Sequence, residues 1–283
     1  MAEPWRHGGV FDSVAEAYDA RRSGYPREIV RAAVELAGLG PGARVVEVGS
    51  GTGKLTEELV ACGLRVDAVE PGPNMIELAR RRVNHSGLVR FHLARFEDVS
   101  LRQELFDAVF SGSAFHWVDP SVGWAKAAAL LRPGGTLALL QPVSVRDEAD
   151  GTAVDELYEA FARLAPEIAG ERPWLRDLAT IRAGVEARRE NVSEVWAWLA
   201  HPGFAVPEAG KLFGPATFTT VRRITRKTAE ELWAMFETTA IYRRLAPQVR
   251  VALQAEDERI IERAGGTLHS TELVALVTAS TVS

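Results

Sequence analysis

The chain has 283 residues, 47% of them hydrophobic and 25% charged, with a formal net charge of -5 and a pI near 5.8. An acidic average of this kind argues against broad electrostatic capture of nucleic acid or of anionic lipid. Its single cysteine, Cys62, rules out an internal disulfide and fits a small apolar filler in a reducing compartment.

The opening MAEPWRHGGV lacks the apolar core of a signal peptide, and no apolar run approaches the roughly 18 residues that span a bilayer. The expectation is a soluble, cytoplasmic protein whose partner is a small-molecule substrate, with no nucleic acid and no membrane. The histidines are scattered and Cys62 is alone, so no metal site is expected.

Residues 10–37 read as helical, broken by the turn signal SGYP at 23–26. Short apolar runs then alternate with amphipathic stretches. The runs are ARVVEV (43–48), LRVDAV (64–69), LVRFHL (88–93), FDAVF (106–110) and GTLALL (135–140). Between them lie KLTEELVAC, PNMIELARRRV and VGWAKAAALL, with apolar residues at helical spacing. Strand and helix in this rhythm imply an α/β fold, a doubly wound sheet with helices on both faces.

The character changes after about residue 145. AVDELYEAFARL and SEVWAWLA read as helices, and strand character returns only at ATFTTVRRIT (216–225). Helical stretches follow near 228–240 and 246–264, and TELVALVTAS (271–280) reads as a last strand. The expected organisation is one domain, 1–283. It comprises a helical opening segment (1–40), a core (41–144), a helical insertion or cap (145–212) and terminal strands and helices (213–283).

The segment Val45-Val46-Glu47-Val48-Gly49-Ser50-Gly51-Thr52-Gly53 runs a buried strand straight into three alternating glycines. At the first strand–helix turn of a doubly wound sheet, glycine lets backbone approach a nucleotide. A dinucleotide fingerprint would put a third glycine where Lys54 or Thr56 stands, and a phosphate loop would start on glycine where Val48 stands. Neither pattern is met, and an acid followed by GxGxG remains. Glu70, about 20 residues beyond the loop, ends the next strand, where a carboxylate can accept from ribose hydroxyls.

EVGSGTGKLT, VDAVEPGPNMIELAR, FDAVFSGSAFHWVDP and LLRPGGTLAL, with the opening FDSVAEAYDARRSGYP, together resemble the class I S-adenosylmethionine-dependent methyltransferases over most of residues 10–140. Ala240-Ile241-Tyr242-Arg243-Arg244-Leu245 is similar to a bacterial subgroup that includes trans-aconitate methyltransferase-like proteins. The resemblance implies a Rossmann-like seven-stranded sheet whose last strand is antiparallel, formed in a terminal hairpin by 216–225 and 271–280. It implies S-adenosyl-L-methionine as cofactor and methyl transfer to a small molecule, an organic acid or a secondary metabolite. Gly49, Ser50, Gly51 and Thr52 would form the loop along the methionine and ribose, and Glu70 would hold the ribose. Pro71, Met75 and Phe96 would lie against the adenine, Glu97 would add a contact, and Ser111 would face the amino-acid portion. Many relatives carry an Asp after the third strand where this chain has Arg95. Tyr18 and Arg21, or Arg22, would reach the cofactor carboxylate, the alternative being a solvated surface helix.

Methyl transfer from a sulfonium is an in-line displacement that needs a base only if the nucleophile arrives protonated. His116, past the fourth strand, is the candidate base, its alternative being a histidine that bonds backbone and shapes the wall. Phe115 and Trp117 are candidate substrate contacts or core packing, and Trp174, Trp196 and Trp198 form either a cap over the substrate or the insertion's own core. The competing readings are an NAD(P)-dependent oxidoreductase and a cofactor-binding protein without catalysis.

Overall fold

A computed structural model describes residues 11–83, 86–147, 151–170, 175–200 and 203–282. Seven strands form one sheet in the order β3-β2-β1-β4-β5-β7-β6. In chain order these are β1 (Arg44–Val48), β2 (Arg65–Glu70), β3 (Val89–Leu93), β4 (Phe106–Gly112), β5 (Leu131–Ser144), β6 (Thr217–Lys227) and β7 (Leu268–Ser280). The first five pair in parallel, and β7 runs antiparallel to both β5 and β6. This is the Rossmann-like sheet with an antiparallel last strand that the resemblance implied.

The five parallel strands fall close to the expected runs, because apolar stretches covered on both faces carry a strong signal. β5 is the exception, starting at Leu131 instead of 135. Phe106 pairs with Leu131 and Ala108 with Thr136, so the Arg132–Gly135 stretch bulges while the ladder continues around it. A Pro-Gly-Gly sequence reads as a turn unless its partner strand is known.

Helix α1 (Ala15–Arg21) and helix α2 (Arg27–Leu36) precede the sheet; α3 (Lys54–Ala61) and α4 (Pro73–Val83) follow β1 and β2, and α5 (Pro120–Leu130) precedes β5. One face of the sheet buries Ile29 and Val30 of α2 with Leu55 and Leu59 of α3. The other buries Trp124 of α5 with Val195 and Trp196 of α9 (Val192–Leu199). Asp119 caps α5 by accepting from the Ser121 N–H, and Pro120 opens the helix where a missing N–H costs nothing.

Between β5 and β6 the described elements are helical: α6 (Ala153–Leu164), α7 (Pro166–Ala169), α8 (Leu178–Glu186), α9 and α10 (Ala209–Leu212). α11 (Ala229–Phe236), α12 (Ala240–Arg244) and α13 (Pro247–Arg263) separate β6 from β7. Thr228 and Glu231 close a reciprocal capping box at the start of α11. Phe161 and Ile168 from α6 and α7 pack with Trp233, Leu245 and Leu253 in a satellite core. Among the described residues no helix is long and apolar enough to cross a membrane.

Candidate functional site

In the strand order, winding reverses between β1 and β4, and the chain therefore leaves a crevice at the carboxyl ends of these strands. A cavity of about 260 Å³ lies at that edge. Its floor is the turn after β1. Gly49 has φ +70°, and a Cβ there would sit 2.3 Å from that of Ala114. Gly51, also left-handed, would carry a Cβ with no atom within 4 Å, and it lines the cavity. The first glycine is needed for the turn and the second leaves a path for a ligand to the backbone.

Glu70 ends β2 on the cavity wall. Its Oε2 accepts the Gly51 N–H at 3.0 Å and its Oε1 accepts the Gly72 N–H at 2.9 Å. Burial raises its pKa, opposed by those two backbone bonds, and Asp12 raises it further. A carboxylate offers about four lone-pair sites, so each oxygen keeps one for a further donor. Deeper down, Glu47 on β1 accepts the Thr56 hydroxyl at 2.6 Å, and burial pushes its pKa up to about 8.

Pro71, Met75 and Phe96 line the apolar side of the cavity. Lys126 lies over the Phe96 ring, 5.5 Å from its centre, and donates to the Glu97 and Val99 carbonyls. Arg95 and Glu97 both reach the wall, joined at 2.8 Å, and Glu97 also accepts the Asp119 N–H at 2.9 Å. Both bonds fall on Oε1 of Glu97, which leaves its Oε2 without a protein donor among the described residues.

The segment before α2 closes the cavity from above. Phe11 and Tyr18 line it, their rings edge-on at 5.8 Å, and Phe11 meets Trp117 at 5.4 Å. Asp19 of α1 accepts from Thr52 Oγ1 and from Arg82 Nη2, both at 2.6 Å, and its main-chain carbonyl accepts from Lys54 Nζ at 2.8 Å. Burial opposes charge on Asp19, but the bonds from Thr52 and Lys54 and the Arg82 charge together hold its pKa below the usual carboxylate range.

Several expected site residues are placed elsewhere. Ser111 is buried and donates to the Val48 carbonyl at 2.8 Å, a tie between β1 and β4 and not part of the wall. Thr52 is spent on Asp19, and the Ser50 hydroxyl is buried without a hydrogen-bond partner among the described residues. Arg21 is exposed where α1 ends; Arg22, the next residue, turns inward instead, its guanidinium over the Tyr18 ring at 5.7 Å. Phe115 packs in the core on Trp124 at 4.8 Å, while Trp117 does line the cavity. His116 stacks tilted against Trp117 at 4.9 Å and is not among the lining residues.

Trp174 lies outside the described residues. Trp196 is in the sheet core, and Trp198 sits between the guanidinium groups of Arg176 and Arg188, at 4.1 and 4.5 Å; neither lines the cavity. Sequence reasoning missed Phe11, Asp12, Asp19, Gly112 and Ser113. Ser113 does carry a structural mark, a φ of +53° unusual for a residue with a side chain. Among the described residues no group of three or more His, Cys, Asp or Glu is placed to hold a metal.

A family profile described as a methyltransferase domain matches residues 46–139. An uncharacterised methyltransferase of Mycobacterium tuberculosis is 38% identical over 153 residues, covering 54% of this chain and 59% of that protein. A ubiquinone biosynthesis O-methyltransferase of Methylocella silvestris is 37% identical over 98 residues, covering 34% of this chain and 38% of its own length. The chain thus spans less than two thirds of the length of each of these two relatives. A provisionally named type II methyltransferase from Anaeromyxobacter dehalogenans superposes with a TM-score of 0.58 at 22% identity, covering 92% of this chain and 97% of that one. A provisionally named methyltransferase from Bacillus halodurans gives 0.51 at 14% identity, covering 90% and 99%. Residues 46–139 thus match a methyltransferase-domain profile and lie in a seven-stranded sheet of the Rossmann-like methyltransferase fold.

Proposed function

We propose that this chain binds S-adenosyl-L-methionine in the cavity at the β1–β4 crevice and transfers its methyl group to a small-molecule acceptor, an organic acid or a secondary metabolite. The observation that carries the reading is the Glu70 carboxylate, presented to the cavity by two backbone N–H groups with one acceptor position left on each oxygen. That geometry suits two adjacent ribose hydroxyls. Beside it, Pro71, Met75 and Phe96 offer an apolar slot for a purine, and Gly49 and Gly51 offer backbone along the remainder of the ligand. Ser50, Thr52 and Ser111 serve this loop from beneath, by shape and by tying neighbouring elements together.

When bound, the cofactor supplies a methyl group on a sulfonium, already a good leaving group. What remains for the chain is to hold, align and exclude water. Tyr18, Phe11 and Trp117 do this from above, their aromatic faces lining the cavity where a positive sulfur would lie. Burial raises the Tyr18 pKa, so its hydroxyl stays protonated and can donate. His116 is assigned no proton transfer. We read the chain as one unit, with the 145–212 helices an insertion between β5 and β6. The Ala240–Leu245 text, similar to trans-aconitate methyltransferase-like proteins, makes an organic acid the first acceptor class to assay.

Thermal shift with S-adenosylhomocysteine beside NAD and NADP tests the cofactor. At about a hundredfold excess over Kd, S-adenosylhomocysteine should raise Tm by several degrees, on the order of 2.7 kcal/mol of linkage. Stabilisation by NAD or NADP alone would replace this reading with an oxidoreductase. Binding of S-adenosylhomocysteine with no methylation of any acid or metabolite acceptor would favour a non-catalytic binder.

A further inference from the structure

The carboxyl edge of the sheet carries a second polar group, beyond the cofactor cavity, where β6 ends. β6 runs antiparallel to β7 and thus in the direction of β5, so its last residues reach the edge at which the cavity opens. Alternation places Arg223, Thr225 and Lys227 on one face of β6, the face that α2 covers. Opposite Arg223 in the register stands Glu272 of β7, and the two form an ion pair.

This group adjoins the cavity through the chain that covers it. Arg223 Nη1 donates to the Gly24 carbonyl at 3.1 Å. The next residue, Tyr25, donates its hydroxyl to Ser113 Oγ on the cavity wall at 3.0 Å. Its ring lies so close to Gly112 that a Cβ there would be 2.5 Å from the hydroxyl oxygen. From the same segment Arg22 reaches over Tyr18 and donates from Nε to Thr238 Oγ1 at 3.0 Å.

The charges here do not balance. Glu272 is engaged by Arg223, and Glu231 is engaged in capping α11, where it accepts the Thr228 N–H at 2.9 Å. Arg22 is bonded to a neutral hydroxyl. Lys227 is half-buried, with no hydrogen bond or ion pair among the described residues. Burial lowers its pKa; Glu272 and Glu231 oppose that effect, and Arg223 and Arg22 add to it. Its stem is covered while its ammonium meets solvent with no anionic partner among the described residues, which leaves it open to an arriving anion.

We propose that Lys227 and Arg22, steadied by the Arg223–Glu272 pair, form an anion subsite that receives a carboxylate or phosphate group of the methyl acceptor. The inference rests on the methyltransferase reading above and names the acceptor chemistry it would take. Lys227 supplies a point charge from β6, and Arg22 supplies a fork from the covering segment, beside the tyrosine that lines the cofactor cavity. An acceptor held there by its acidic group would have the rest of its body directed toward Tyr18.

The test uses the full chain loaded with S-adenosylhomocysteine. Succinate and glycerol phosphate are titrated by calorimetry against their uncharged counterparts, succinamide and glycerol, into the wild type, Lys227→Met and Lys227→Arg. The expected result is binding of at least one anion, weakened tenfold or more by Lys227→Met and largely restored by Lys227→Arg, with neither neutral compound binding. The stronger of the two anions identifies the group. S-adenosylhomocysteine affinity should stay within twofold in both variants, which separates this subsite from the cofactor cavity. Equal anion binding by wild type and Lys227→Met would overturn the proposal, as would the absence of anion binding by protein that holds S-adenosylhomocysteine normally. Failure of the wild type to bind S-adenosylhomocysteine would instead bring down the cofactor reading, and this subsite with it.

Discussion

Asp12 caps a helix 62 residues away: its Oδ1 accepts the backbone N–H of Asn74 at 2.7 Å and that of Met75 at 3.2 Å, while its Oδ2 accepts from the Asn74 side chain. With Asp19 held by Thr52 and Arg82, the segment carrying Phe11 and Tyr18 is fastened at both ends over the cavity. A carboxylate at a helix N-terminus also meets the positive end of the dipole.

Asp12→Ala should therefore cost about 1 kcal/mol of stability, as loss of an N-cap does. It should also speed release of S-adenosylhomocysteine about tenfold, since the aromatic cover is loosened. Stopped-flow dissociation measures this. An unchanged off-rate would mean that the segment does not retain the ligand.

Glu70 gives a pH dependence with a definite sign. Hydroxyl donors bind the ionised carboxylate, and burial has raised its pKa. Affinity for S-adenosylhomocysteine should be constant above that pKa and fall toward tenfold per pH unit below it. Glu70→Gln should bind on the order of a hundredfold more weakly at neutral pH, given about 1.5–3 kcal/mol for each bond to a charged group. Its profile should be flat. A parallel pH slope in the variant would assign the titration to another group.

Glu47 makes a separate claim about stability. Its folded pKa is about 8, against an ordinary carboxylate in the unfolded chain, so the folded state keeps a proton that the unfolded state releases. Stability should then fall as pH rises from about 4.5 to about 8 and level off above. Glu47→Gln can preserve the Thr56 bond without the titration. Its advantage over wild type should grow across that window to on the order of 2–4 kcal/mol, read by urea denaturation at pH 5, 7 and 9. A constant difference would place the Glu47 proton elsewhere.

His116 and Trp117 are adjacent in sequence, yet only Trp117 faces the cavity. His116→Ala is expected to lower kcat less than about tenfold and to leave the pH–rate profile unchanged, whereas removal of a general base costs about 10²–10⁴. Loss of a limb near neutral pH together with a fall of that size would restore the histidine as the base. Trp117→Ala should act on KM for the acceptor.

What the sequence made legible follows from the range of each interaction. The glycine turn, Glu70 and the positions of the parallel strands rest on local pattern: a buried run, a turn that needs left-handed backbone, an acid at the next strand's end. Asp12 and Asp19 could not be read that way, because each acts on residues at least 33 positions distant. Ser111 was misplaced by less, since a strand-end residue adjoining the crevice can still turn its hydroxyl to the neighbouring strand. Arg21 and Arg22 differ by one position, and the end of α1 after Arg21 decides which points inward. The register slip at β5 and the cationic group at the end of β6 depend on pairing between distant strands, which no local window contains.

A crystal structure with S-adenosylhomocysteine would locate the cofactor outright. Density is expected in the cavity at the β1–β4 crevice, with both ribose hydroxyls within about 3.2 Å of the Glu70 oxygens and the adenine between Met75 and Phe96. Density for the ligand at another place, or a ribose turned away from Glu70, would contradict that placement.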